Sequence, residues 1–133
     1  MKARVEHFGA IVEMPEPVRG LAWVDRDRAR TLGIDGGAAW TAADPGHLSG
    51  PTEVHVVLSK QCDVGCRGCY VGATPNGASL SLEQARRTID ELAAQGVFHI
   101  ALGGGEALQH DDLFAVAAYA RERGIIPNLT TSG

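Results

Sequence analysis

Cys62-Asp63-Val64-Gly65-Cys66-Arg67-Gly68-Cys69-Tyr70 is the stretch on which the fold turns. It sets three thiols in the spacing C-x3-C-x2-C, and these are the only cysteines among 133 residues. Clustered thiols in a chain without a secretory leader point to metal or redox chemistry rather than to a disulfide framework. Three thiolates on one short loop can converge on a single face of a cubane iron–sulfur cluster, holding three irons and leaving the fourth open. Gly65 and Gly68 suit a loop that must curl tightly and turn backbone N–H groups toward the cluster sulfides. A structural zinc site takes four protein ligands; this loop supplies three, and His47 or His55 would be the fourth. Three buried thiols without metal is the third reading, and it leaves the spacing to coincidence.

Working outward, residues 54–58 form a short β-branched run that leads straight into the cysteines. Ser81-Leu82-Glu83-Gln84 has the form of a capping box. Leu82, Ala85, Ile89, Leu92 and Ala93 then recur at helical spacing until Gly96. Residues 97–102 follow as a second buried strand, closing on Gly103-Gly104-Gly105-Glu106. Asp111 and Asp112 open another helix, with Leu113, Val116, Ala117 and Ala120 on one face and Gly124 as its stop. Residues 125–129 read as a third strand, ended by Thr130-Thr131-Ser132-Gly133. The order β-loop-α-β-α-β predicts parallel strands joined by right-handed crossovers. Three such strands leave a hydrophobic edge that ordinarily receives another, so the chain reads as a fragment of a longer protein.

Residues 1–50 read as a separate unit. A strand over residues 4–12 is broken at Met14-Pro15-Glu16-Pro17, and residues 18–24 return as the second arm of a hairpin. Asp25 caps a short helix that runs through Leu32 and is ended by Gly33. Trp23 and Trp40 are assigned to packing within this unit. The turn-rich stretch through Asp35-Gly36-Gly37, Asp44-Pro45-Gly46 and Ser49-Gly50-Pro51 leads to a second domain over residues 51–133. Twelve Lys and Arg against sixteen Asp and Glu give a net charge of −4, which argues against a coat for nucleic acid or for an anionic membrane. With 44% hydrophobic and 21% charged residues the chain is globular rather than disordered. No apolar stretch approaches a membrane span or a signal-peptide core, so a cytoplasmic protein is expected.

With a C-x3-C-x2-C loop after the first strand and Gly104-Gly105-Glu106 after the second, the chain resembles the radical S-adenosylmethionine (SAM) enzymes over residues 52–133. The resemblance implies an α/β fold: a truncated, partial parallel (β/α) barrel, with residues 1–50 as a small hairpin-plus-helix extension. It implies that Cys62, Cys66 and Cys69 bind a 4Fe–4S cluster whose open iron is chelated by the amino and carboxylate groups of SAM. Gly104, Gly105 and Glu106 would receive the methionyl ammonium, and Tyr70 would lie beside the cofactor. One electron, from a donor such as flavodoxin or ferredoxin, then cleaves the sulfonium C–S bond. The resulting 5′-deoxyadenosyl radical takes a hydrogen atom from the substrate; the cofactor carries the hard chemistry and the protein positions it. Two positions depart from the common family pattern. Gly68 stands where many members carry an aromatic residue before the third cysteine, and Ala107 stands where Pro often follows the turn.

The leading unit, with Glu6-His7-Phe8-Gly9, is similar to N-terminal extensions of radical SAM maturases of ribosomally made peptides. That similarity implies a precursor peptide as substrate, received by strand addition at an exposed edge, and the rest of the barrel as a partner. Two readings from other classes stay open. One is an iron–sulfur electron carrier or sensor, which leaves the Gly104-Gly105-Glu106 turn unexplained. The other is a zinc-bound interaction module that requires His47 or His55. No residue is assigned a catalytic role. His55 and His99 read as core histidines, and Lys60 and Arg67 as solvated charges. The hydroxyls of Thr130, Thr131 and Ser132 face the site or serve ordinary turn chemistry.

Overall fold

The computed structural model describes every residue except Arg19, so that position of the predicted second hairpin arm lies outside the described residues. The chain divides into two compact units, Met1–Pro51 and Thr52–Gly133.

The first unit is built on a three-stranded antiparallel sheet of β1 (Ala3–Glu6), β2 (Gly9–Met14) and β3 (Gly20–Asp25), in that spatial order. The predicted single strand over residues 4–12 is thus two strands, joined at His7-Phe8 and closed by the pair Glu6 and Gly9. The break falls at Gly9 because a Cβ there would overlap the Val24 carbonyl oxygen; only glycine lets β2 start so close to β3. Asp25 caps α1 (Arg26–Thr31), its carboxylate accepting from the Arg28 N–H at 2.7 Å. A four-residue helix, α2 (Ala38–Thr41), lies within the stretch read as turns. Its Trp40 is buried, and the indole N–H donates to the Glu6 and Gly9 carbonyls, each at 3.0 Å.

Trp23 does not pack as expected; it is 55% exposed. Ala10, Val12 and Val24 share the sheet face that meets Ala29 and Trp40, and period-2 alternation puts Trp23 on the other face, paired with Ile11. Residues 49–51 are stitched to β1 rather than free as a linker. Arg4 donates to the Gly50 and Pro51 carbonyls at 2.7 Å and to Glu6 Oε1 at 2.8 Å. The buried Glu6 carboxylate in turn accepts from the Ser49 N–H at 2.8 Å and its hydroxyl at 2.9 Å.

The second unit is a parallel sheet in the order β4 (Glu53–Ser59), β5 (His99–Gly104), β6 (Ile126–Leu129). α3 (Leu82–Ala94) connects the first two strands and α4 (Leu113–Glu122) the last two. The capping box at Ser81 is present, with the Gln84 N–H on Ser81 Oγ at 3.2 Å and the Ser81 N–H on Gln84 Oε1 at 2.8 Å. Such a cap contributes about 1 kcal/mol. Val56, Leu58, Ile100 and Leu102 point to one face of the sheet, where they meet Ala85 and Ile89 of α3 and Val116 and Ala120 of α4. Each fully buried Leu or Ile there contributes about 1.5–3 kcal/mol. Alternation leaves the other face to His55, Val57, Ala101, Gly103 and Asn128. β5 begins at His99 rather than at Val97, since the Phe98 and His99 N–H groups both turn to the Thr52 carbonyl. β6 is an edge strand, which accommodates Pro127 and its missing N–H.

Candidate functional site

The cysteine loop leaves β4 through a closed neck. Lys60 N–H donates to the Ala78 carbonyl at 2.8 Å, Thr74 N–H to the Lys60 carbonyl at 2.9 Å, and Cys62 N–H to the Thr74 carbonyl at 3.0 Å. Beneath it the buried Ser59 hydroxyl bonds the Ser79 hydroxyl at 2.6 Å and accepts the Gln61 N–H at 2.8 Å. The loop above is therefore an excursion with fixed ends. Gly65 (φ +68°) and Gly68 (φ +74°) take left-handed conformations with open space around them, so backbone geometry selects glycine there. All three cysteines are free thiols lining one cavity of about 320 Å³. Cys66 is exposed, and Cys62 and Cys69 are half-buried. The Ala73 N–H, 3.4 Å from Cys69 Sγ, lowers that thiol's pKa together with the Val71 and Gly72 amides, against a smaller opposing effect of burial.

Gly104 and Gly105 stand against this neck. Gly105 N–H donates to the Ser59 carbonyl at 2.7 Å and Glu106 N–H to the Gln61 carbonyl at 3.1 Å, carrying the strand pairing past the irregularity between Val57 and Ser59. A Cβ at Gly104 would overlap the Ser59 oxygen, and one at Gly105 would overlap the Gln61 oxygen and crowd Cys62 Cβ at 3.2 Å. The two glycines are thus required by close approach to the base of the cysteine loop. Glu106 is a buried residue, 8% exposed. Oε1 accepts from Thr131 Oγ1 at 2.6 Å and Leu108 N–H at 3.1 Å; Oε2 accepts from Ser132 Oγ at 2.6 Å and Ser132 N–H at 2.9 Å. The Ser132 hydroxyl first, then the Thr131 hydroxyl and the two amides, hold its pKa down at about 2 despite burial. Thr131 and Ser132 join the site through Glu106, a role that no local sequence signal carries. Gln109 adds a second tie, donating to Asp63 of the cysteine loop at 3.2 Å.

His55 is exposed, contrary to the core assignment, because Val54 and Val56 on either side take the helix-facing positions. Its imidazole lies across Gly103, where a Cβ would stand 2.6 Å from Nε2, and its ring centroid is 6.1 Å from that of Tyr70. Tyr70 is 72% exposed and lines the same cavity as the thiols. Lys60 and Arg67 are exposed. His99 sits at the start of β5, the opposite end from the cysteines, with a buried Nε2 that has no partner among the described residues.

Among the described residues, no three His, Cys, Asp or Glu side chains converge closely enough to hold one metal ion. A cubane makes a different demand, because each thiolate binds its own iron. Three thiols that line one cavity without converging on one point suit that group better than a single zinc ion. The same cavity is lined by a turn suited by its glycine backbone and its carboxylate to a cationic, polar ligand. The site and the parallel sheet beneath it define an α/β protein whose three free thiols line a cavity beyond the C-terminal end of β4.

Residues 56–133 match the Radical SAM superfamily, well over half of the chain, and the chain belongs to that family. It is 36% identical over 78 residues to Fe-coproporphyrin III synthase of Methanosarcina barkeri, covering 57% of this chain and 20% of the relative. It is 33% identical over 84 residues to PqqA peptide cyclase of Rhodopseudomonas palustris, covering 62% of this chain and 22% of the relative. The crystal structure of Streptococcus suis SuiB bound to precursor peptide SuiA superposes with a TM-score of 0.68 at 17% identity, over 97% of this chain and 40% of that one. That last likeness is one of fold. The chain spans about a fifth of the length of the curated relatives it matches. Among the described residues, no helix is long and apolar enough to cross a membrane.

Proposed function

We propose that this chain is the cofactor-binding part of a radical SAM enzyme that modifies a peptide in the cytoplasm. One observation carries the reading: the three thiols and the Gly104-Gly105-Glu106 turn line a single cavity, tied together at the neck by the Gly105 and Glu106 amides. Cys62, Cys66 and Cys69 would hold a 4Fe–4S cluster, the turn would receive the ammonium of SAM, and Tyr70 would flank the cofactor. When bound, the cluster and SAM supply one-electron cleavage of the sulfonium C–S bond and a 5′-deoxyadenosyl radical for hydrogen abstraction.

The chain's own residues bind, orient and shield. Gly65 and Gly68 let the loop curl so that its three thiols line one cavity, and the amides after Cys69 favour that sulfur as thiolate, the form that ligates. The neck bonds of Lys60, Cys62 and Thr74 keep the loop registered to the sheet. In this reading β4, β5 and β6 are the first strands of a partial (β/α) barrel, the remaining strands add beyond β6, and a flavodoxin or ferredoxin delivers the electron.

The identity to a PqqA peptide cyclase and the SuiB-like fold support a peptide substrate. β3 lies at the edge of its sheet and carries the exposed Trp23, a strand to which an extended peptide would add by main-chain hydrogen bonds. A short peptide encoded next to this protein is the expected substrate. Incubation of the full-length, anaerobically reconstituted protein with dithionite and SAM tests the reading. The expected products are methionine and 5′-deoxyadenosine, with a mass change on that peptide when it is added. A protein that retains zinc in place of iron, or a cluster that leaves SAM intact, would overturn it.

A further inference from the structure

An ionised carboxylate offers about four acceptor positions, and four donors already meet Glu106. Three of those four come from Thr131 and Ser132, at the far end of β6. We infer that the Glu106 side chain is a positioning residue: it clamps the end of β6 to the end of β5 and so shapes the cavity, leaving the ammonium of SAM to the main chain of the turn. The inference rests on the reading of this turn as a SAM site, and it assigns the carboxylate a different task from direct contact.

Three features support the clamp. Both hydroxyl bonds are 2.6 Å long, in the range of strong charge-assisted bonds to a carboxylate. Glu106 is a buried residue at the cavity wall, and each of its two oxygens already has two donors from the protein. The donors are sorted two to each oxygen, an arrangement that glutamine cannot reproduce. If its amide oxygen takes the place of Oε1, its NH2 group faces the Ser132 N–H, donor against donor. Glu106 therefore selects for charge and for four acceptor positions, not merely for a polar group of that size.

Thr131→Val with Ser132→Ala removes two donors while leaving Glu106 ionised and untouched. In the full-length reconstituted protein this pair is expected to weaken SAM binding about tenfold, the scale of losing bonds to a charged group. Cluster iron and the SAM-free spectrum of the reduced cluster should stay as in wild type. Thr131→Ser with Ser132→Thr, which keeps both hydroxyls, should restore affinity. Adding Glu106→Gln to the Val/Ala pair should cost much less than Glu106→Gln alone. Wild-type affinity in the Val/Ala pair, with a loss in Glu106→Gln alone, would show that the carboxylate takes the ammonium itself and would overturn the inference. Amide hydrogen exchange reads the clamp without SAM. Ser132 N–H should exchange slowly in wild type and fast in Glu106→Gln, and equal rates would overturn the clamp. Slow exchange in a wild-type protein that fails to bind SAM would overturn the SAM reading while supporting the clamp.

Discussion

Gly105 donates its amide to the Ser59 carbonyl at 2.7 Å, and its bare α-carbon leaves the space that the Gln61 carbonyl oxygen fills. Two segments more than forty residues apart, the neck of the cysteine loop and the turn after β5, are thereby one piece of backbone architecture. Gly105→Ala forces the neck to move, because the atom in the way is main chain. The expected result is a stability loss of about 1–3 kcal/mol, the scale of backbone strain or overpacking. Reduced iron uptake should accompany it, since Cys62 Cβ lies next to the displaced atom. Thermal melting of the apo protein and iron analysis after reconstitution check both.

Gly103→Ala makes the opposite case two residues away. The nearest atom to a Cβ there is His55 Nε2, the far end of a side chain on the exposed face, which can swing aside. Melting temperature and iron content should match wild type. A shift in melting as large as that of Gly105→Ala would contradict the placement of His55.

Cys66 is an exposed free thiol on the loop. Cys66→Ala should leave apo stability within about 0.5 kcal/mol of wild type, as for ordinary surface substitutions. It should abolish cluster assembly. Circular dichroism with iron and sulfide analysis separates the two effects, and full iron and sulfide in this variant would refute the ligand assignment.

The depressed pKa of Glu106 makes stability depend on pH in a defined direction. The folded state holds the carboxylate ionised down to about 2 against an ordinary value of 4.5. Its contribution is complete above 4.5 and is lost as pH falls toward 2, where the unfolded chain binds the proton first. Wild type should therefore lose more stability across that window than Glu106→Gln, whose own profile should be flatter. Parallel denaturant titrations of the two proteins measure the difference.

The strands and helices of the second unit were legible because their side chains keep period. Val54, Val56 and Leu58 alternate along β4, and Leu82, Ala85, Ile89 and Leu92 follow one helix face. The same alternation places His55 on the opposite face, against its assignment to the core. In the first unit, Gly9 inside an apolar run marked a strand break rather than a continuous strand. α2 has only four residues and no side-chain cap, so nothing local announced it. The cavity's cysteines and turn were readable as motifs. The reason for the paired glycines and the partners of Glu106 were not, because both arise from contacts between segments distant in sequence.

The central claim is that the three thiolates and the Gly104-Gly105-Glu106 turn build one site for a cluster and SAM. Electron paramagnetic resonance of the full-length protein, reconstituted anaerobically and reduced, tests it most directly when recorded with and without SAM. A four-iron cluster signal whose shape changes on addition of SAM is the expected result. A cluster signal indifferent to SAM would contradict it.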